Sequence, residues 1–152
     1  MSTDYSNADG RYMSLAIDEA NKSPISFQIG CIAVVSGKIV ARGCNHYRTY
    51  SKDGMIGKSC SCHAEIDVLR KCLKKNITKK INLYIVRISS LGEVMCSAPC
   101  IDCFFKMKEF NIKSLVYIGH DGDIIKRNFE DFHTTHQSSG SKAISAKRVK
   151  CI

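Results

Sequence analysis

The sequence predicts an α/β three-layer sandwich, with helices covering both faces of a mixed sheet of about five strands. Three observations carry that expectation. Gln28 to Val35 is a nearly continuous apolar run, the pattern of a strand buried on both faces. Helical and strand-like periodicities alternate along the chain in the order α-β-β-α-β-α-β-β. Ser36-Gly37 and Asp121-Gly122 have the composition of hairpin turns, and the second makes the last two strands antiparallel.

From about Gly10 to Lys22, the residues Tyr12, Met13, Ala16, Ile17 and Ala20 recur at helical spacing, and Pro24 ends that helix. Lys38 to Cys44 returns beside Gln28–Val35 as its hairpin partner. Asn45 to Ser59 has no periodicity, and Gly54 and Gly57 mark it as a loop. His63 to Lys75 is helical, with Ile66, Leu69, Cys72 and Leu73 on one face. Ile81 to Ile88 reads as a third strand and Ser89 to Ala98 as a second loop. A helix opens at Pro99 and runs to about Phe110, followed by strands at Ile112 to Ile118 and Asp123 to Lys126. This divides the chain into a flexible start (1–8), one folded domain (9–132) and a Ser/Thr-rich, then basic, tail (133–152).

A length of 152 residues suits one domain, and 44% hydrophobic with 24% charged residues is globular composition. The first ten residues lack the basic start and apolar stretch of a secretory leader. The longest clean apolar run, Cys31 to Val35, is far too short for a membrane span, so a soluble intracellular protein is expected. The net charge of +9 favours anionic partners, phosphate-bearing small molecules or nucleic acid, without choosing between them. Nine cysteines in a reducing compartment serve metal ligation, chemistry or packing, and Cys31, Cys44 and Cys72 lie in apolar runs as core residues.

The chemistry concentrates in two short segments, Cys62-His63-Ala64-Glu65 and Pro99-Cys100-Ile101-Asp102-Cys103. Each opens a predicted helix directly after a loop, where the helix dipole lowers thiol pKa values. His63, Cys100 and Cys103 supply one imidazole and two thiolates, three ligands for one zinc ion with a fourth position open to water. Zinc makes such a water acidic enough to attack near neutral pH. Glu65, two residues past the imidazole, stays uncoordinated and moves the protons. These are the parts needed to remove an amine hydrolytically from an aromatic ring. The structural alternative is a closed zinc site in which Cys60, Cys62 or Cys96 fills the open position. His46 with Cys60 or Cys62 offers a second metal site.

The pairing of H-x-E with P-C-x-x-C resembles the signature of zinc-dependent nucleobase deaminases. From Ile25 to Phe132 the chain resembles the cytidine and deoxycytidylate deaminase superfamily, and Gln28 to Asn45 looks like that family's first hairpin. The resemblance implies a cytidine deaminase-like fold, a single catalytic zinc ion, and an oligomer, since many relatives complete their sites with neighbouring subunits. It also implies that Asn45 touches the substrate sugar and that the Ala64 backbone amide orients the base. The loop after Asn45 carries Tyr47 and Tyr50 for stacking on a base, and Arg48, Lys52 and Lys58 for holding phosphate.

The branches of the superfamily leave different marks. Nucleoside deaminases carry a carboxylate where Tyr47 stands and usually a cysteine where His63 stands. The Gly and Arg around their second cysteine are replaced here by Ile101 and Phe104. The guanine and tRNA branches place Glu before Pro-Cys, where this chain has Ala98, and tend to run the last strands parallel. The resemblance that remains implies a nucleotide-level cytosine deaminase, close to the deoxycytidylate type but not a clean member of it. The alternatives are a cytosine or adenine editor of RNA or DNA, with a steep salt dependence of binding, and an inactive zinc-stabilised binding module.

Overall fold

Ser6 caps the first helix, α1 (Asn7–Ala20), through a reciprocal pair of bonds. The Asp9 amide donates to Ser6 Oγ at 3.1 Å and the Ser6 amide to Asp9 Oδ2 at 2.8 Å. The helix therefore begins inside the stretch expected to be flexible. Its first turn is polar, and hydrophobic spacing does not register a cap. The computed structural model describes residues 5–48, 51–56 and 62–134.

Six strands form one sheet: β1 (Gln28–Val35), β2 (Lys38–Cys44), β3 (Ile81–Ile88), β4 (Val94–Met95), β5 (Ile112–Ile118) and β6 (Ile124–Asn128). Their order is β2-β1-β3-β5-β6, with β3 and β5 parallel and β4 paired to the end of β3. β5 and β6 are antiparallel, as Asp121-Gly122 predicted. β4 is the strand beyond the five expected. It lies within the predicted loop because two exposed residues are too short a stretch to show alternation. Ser36 and Gly37 both take positive φ, at 51° and 78°, the hairpin geometry that matches strand twist.

Strand alternation sends Cys31, Ala33 and Val35 of β1 to one face and Ile32 and Val34 to the other. The second face packs on α1, whose approach is so close that a Cβ on Gly30 would stand 1.9 Å from the Ala16 carbonyl oxygen. The first face packs under α2 (Ala64–Lys74) and α3 (Ile101–Met107). Cys31 and Cys72 are buried in this core as expected, and Cys44 is only half-buried. Past β6 a short 3-10 turn (Phe129–Asp131) seats Phe132 against Phe104 and Tyr117. No helix among the described residues is long and apolar enough to cross a membrane.

This topology gives the sheet two unlike ends. At one, β2 and β3 finish and β1 begins, with Gly30 opposite Cys44 and Gln28 opposite Ile88. Ser97, just ahead of α3, is tied there to the last residue of β5 by a 2.7 Å bond from the Ile118 amide to its Oγ. The opposite end carries Lys38 at the start of β2, Lys79 and Lys80 before β3, Lys113 in β5, and Lys74 and Lys75 at the end of α2. All six are exposed. No acidic residue occurs between Asp67 and Glu93.

Candidate active site

His63 and Cys100 are the N-cap residues of α2 and α3, each with extended backbone and neither using its side chain to cap. Both side chains are thereby left to face each other where the two helix starts converge. His63 Nδ1 lies 3.3 Å from Cys103 Sγ and 3.6 Å from Cys100 Sγ, and the three donor atoms all fall within 4.8 Å of one another. Among the described residues no fourth His, Cys, Asp or Glu joins this group. Cys62, one of the thiols proposed to close the site, turns away to the His63 carbonyl at 3.4 Å.

The electrostatics follow from the packing. The bond with Cys103 brings the Cys100 thiol down to about 4, against the opposing effect of burial. Cys103, bonded to Cys100 and buried, is pushed well above the ordinary thiol range. Burial acts to lower His63, but its bond with Cys100 and the nearby Glu65 and Cys100 charges leave it raised. Glu65 is 3% exposed, and burial holds its carboxyl above the ordinary value despite the His63 charge beside it. Its Oε1 is buried without a hydrogen-bond partner. One imidazole and two thiols with no fourth protein donor among the described residues, beside an orphaned carboxylate oxygen, fit a zinc ion.

Residues 6–119 match the sequence profile described as the cytidine and deoxycytidylate deaminase zinc-binding region. The chain belongs to that family. Solved structures of deaminases share its fold. Cytidine deaminase from Burkholderia pseudomallei is 20% identical, with a TM-score of 0.58 over 84% of this chain and 95% of that one. The dCMP deaminase of cyanophage S-TIM5 in apo form is 19% identical, with a TM-score of 0.55 over 73% and 82%. The same phage enzyme in complex with dCMP and dUMP is 20% identical, with a TM-score of 0.53 over 73% and 80%. No curated protein matches the chain in sequence.

The other residues singled out from sequence fall into different settings in this deaminase fold. Ala64 is fully buried at the start of α2. Asn45 is 4% exposed and fastens the start of β1, accepting from the Ile29 amide at 2.8 Å and donating to the Phe27 carbonyl at 2.7 Å. That leaves one amide hydrogen and one oxygen lone pair for another partner. Tyr47 is 63% exposed, with its hydroxyl 3.3 Å from the Pro24 carbonyl. Arg48 is exposed, and its amide donates to His46 Nδ1 at 3.3 Å. Lys52 is exposed, whereas Tyr50, Lys58 and Cys60 lie outside the described residues.

His46 and Cys62 exchange backbone bonds of 2.9 and 2.8 Å, so the segment after Asn45 is clamped to the residue just ahead of His63. Their side chains form a second cluster with Asp67, again within 4.8 Å. With Nδ1 accepting from Arg48, the other ring nitrogen presents its hydrogen to Asp67 Oδ1 at 3.1 Å, which satisfies the pair without an ion. Asp67 is also bridged to Lys71 at 3.1 Å.

Sequence reasoning passed over Phe27 and Arg87. Phe27 is 44% exposed beside Asn45, with the Arg87 guanidinium carbon 4.9 Å from its ring centroid. The signal for Arg87 was present: it is the one charged residue in Ile81–Ile88, on the same alternation as Ile81, Leu83 and Ile85.

Proposed function

We propose that the protein is a zinc-dependent hydrolytic deaminase that converts a cytosine nucleotide, of the deoxycytidylate type, to the uracil form and releases ammonia. The observation that carries this reading is Glu65, a buried carboxylate with an orphaned oxygen, beside three metal-donor side chains on two converging helix starts. His63, Cys100 and Cys103 would hold the ion. Zinc there would supply the Lewis acidity that activates water near neutral pH. Glu65 accepts a proton from that water and delivers it to the ring nitrogen. It then carries the second proton to the departing amine. Its raised pKa suits a group that must both take and give a proton.

The Ala64 amide at the start of α2 orients the base, and Asn45 uses its remaining hydrogen-bonding capacity on the sugar. Tyr47, Arg48 and Lys58 are the residues after Asn45 whose side-chain chemistry suits the base and phosphate of the substrate. A phosphorylated substrate also agrees with the dCMP and dUMP bound by the structurally similar phage enzyme.

The test is a mass-spectrometric deamination assay on zinc-loaded protein, with cytidine, deoxycytidine, their monophosphates, adenosine, guanine and short RNA and DNA oligonucleotides. Turnover of a free cytosine monophosphate is the expected result. Turnover confined to oligonucleotides, falling steeply with salt, would replace this reading with polynucleotide editing. Zinc bound with no turnover on any substrate would leave a binding module.

A further inference from the structure

Arg87 occupies the last position on the α2/α3 face of β3 at the end of the sheet where His63 and Cys100 meet. Strand pairing places it in one row with the proposed sugar contact: Asn45 donates its amide to Ile29 at 3.1 Å, Ile29 stands opposite Arg87, and Arg87 opposite Met95. Neighbouring strands are spaced at about 4.8 Å, so Asn45 and Arg87 are only two strands apart across this row.

Arg87 Nε is buried and has no hydrogen-bond partner. Among the described residues the side chain forms no ion pair, and its one recorded contact is the Phe27 ring. A guanidinium carries five donors in a rigid fork, and burying one unsatisfied is a cost that native structures rarely leave unmatched. Two cations of the helices on this face are engaged instead. Arg70 is bonded to Asp53 at 2.9 Å, and Lys106 is paired with Glu109 at 3.6 Å.

Phe27 explains how the fork is held. Its ring lies against the guanidinium while its carbonyl accepts from Asn45 Nδ2, so the three residues form one connected unit. A guanidinium fixed over a ring presents its edge to two oxygens at once, the geometry that suits a phosphate and that an ammonium does not offer.

We propose that Arg87, positioned by Phe27, binds the phosphate of the substrate nucleotide and makes the site select nucleoside monophosphates over nucleosides. This rests on the deaminase reading of the site. It adds a phosphate anchor on the sheet itself, distinct from Arg48 and Lys58 of the loop.

The experiment is equilibrium binding of dUMP and deoxyuridine to the zinc-loaded full chain and to its Arg87→Gln and Arg87→Lys variants. Folding is checked by thermal melting, and turnover of dCMP and deoxycytidine is measured alongside. The wild type should prefer dUMP, Arg87→Gln should lose tenfold or more of that preference, and Arg87→Lys should fall between. The order of magnitude is that of a charge-assisted, two-bond contact. Equal dUMP preference in wild type and Arg87→Gln would overturn the proposal while leaving the deaminase reading intact. A changed oligomeric state with unchanged preference would overturn it in favour of a carboxylate from a second copy. An Arg87-dependent dUMP preference with no turnover of either substrate would sustain it and sink the deaminase reading. If Arg87→Gln does not fold, Arg87→Lys decides: a reduced preference supports the proposal and an undiminished one overturns it.

Discussion

Asp9 on α1 and Glu65 on α2 are each 3% exposed, and they lie on opposite faces of one sheet. Asp9 is surrounded by donors: the Tyr84 hydroxyl at 2.5 Å, the Ser6 amide at 2.8 Å and Lys126 Nζ at 3.0 Å. Burial alone would raise its pKa, but these bonds outweigh it and the carboxyl is held below its ordinary value. Glu65 keeps an unpartnered oxygen, and burial leaves it raised. The two faces thus use the same chemical group in opposite ways. A buried carboxylate with both oxygens engaged fastens a helix to the sheet, whereas Glu65, with one oxygen unpartnered, suits the proton transfers proposed for it.

The sharpest way to break that comparison is at the metal donors. Cys100→Ala should lose zinc and essentially all turnover, read by metal analysis and the deamination assay, because it removes one of only three protein donors in the group. Retention of stoichiometric zinc would remove Cys100 from the site. Glu65→Gln should keep zinc and the melting temperature while turnover drops roughly 10²–10⁴-fold, the usual share of a general acid–base. A variant that melted early instead would make Glu65 a second Asp9.

Asp9→Ala should behave in reverse, costing about 3 kcal/mol in denaturant unfolding with turnover per folded molecule unchanged. Acid provides the smallest effect. The folded-state pKa of Asp9 is depressed, so its contribution is present above its ordinary 3.8 and is lost as the pH falls through the lower folded value. The stability gap between wild type and Asp9→Ala should therefore narrow below about pH 4. A gap that stayed constant between pH 6 and pH 3 would show that Asp9 acts through packing rather than charge.

The parts of the molecule legible in sequence are those governed by short-range rules. β1, β2, β3 and β5 begin and end where their apolar patterns do, since burial fixes which residues those strands accept. The starts of α2 and α3 were placed one residue early or two, because His63 and Cys100 serve as caps rather than first helical residues. His63, Cys100 and Cys103 stand out in sequence through the paired H-x-E and P-C-x-x-C motifs, and the fold brings their donor atoms within 4.8 Å of one another. Asn45 shows the limit. Its place at the end of β2 was clear, but its bonds to Phe27 and Ile29 depend on residues more than fifteen positions away and on how β1 enters the sheet. The His46–Asp67 contact likewise arises only when α2 packs beside β2.

The reciprocal bonds between His46 and Cys62 tie the end of the first hairpin to the residue ahead of His63. They close the base of the segment 47–61, so residues gained or lost within it need not pass strain to His63. Loop closure is forgiving, since doubling a loop's length costs only about 0.6 kcal/mol. A change of length between the two clamped residues is thereby cheap, and the candidate metal donor at the start of α2 keeps its place. New substrate preferences can arise in such a chain before its chemistry has to change.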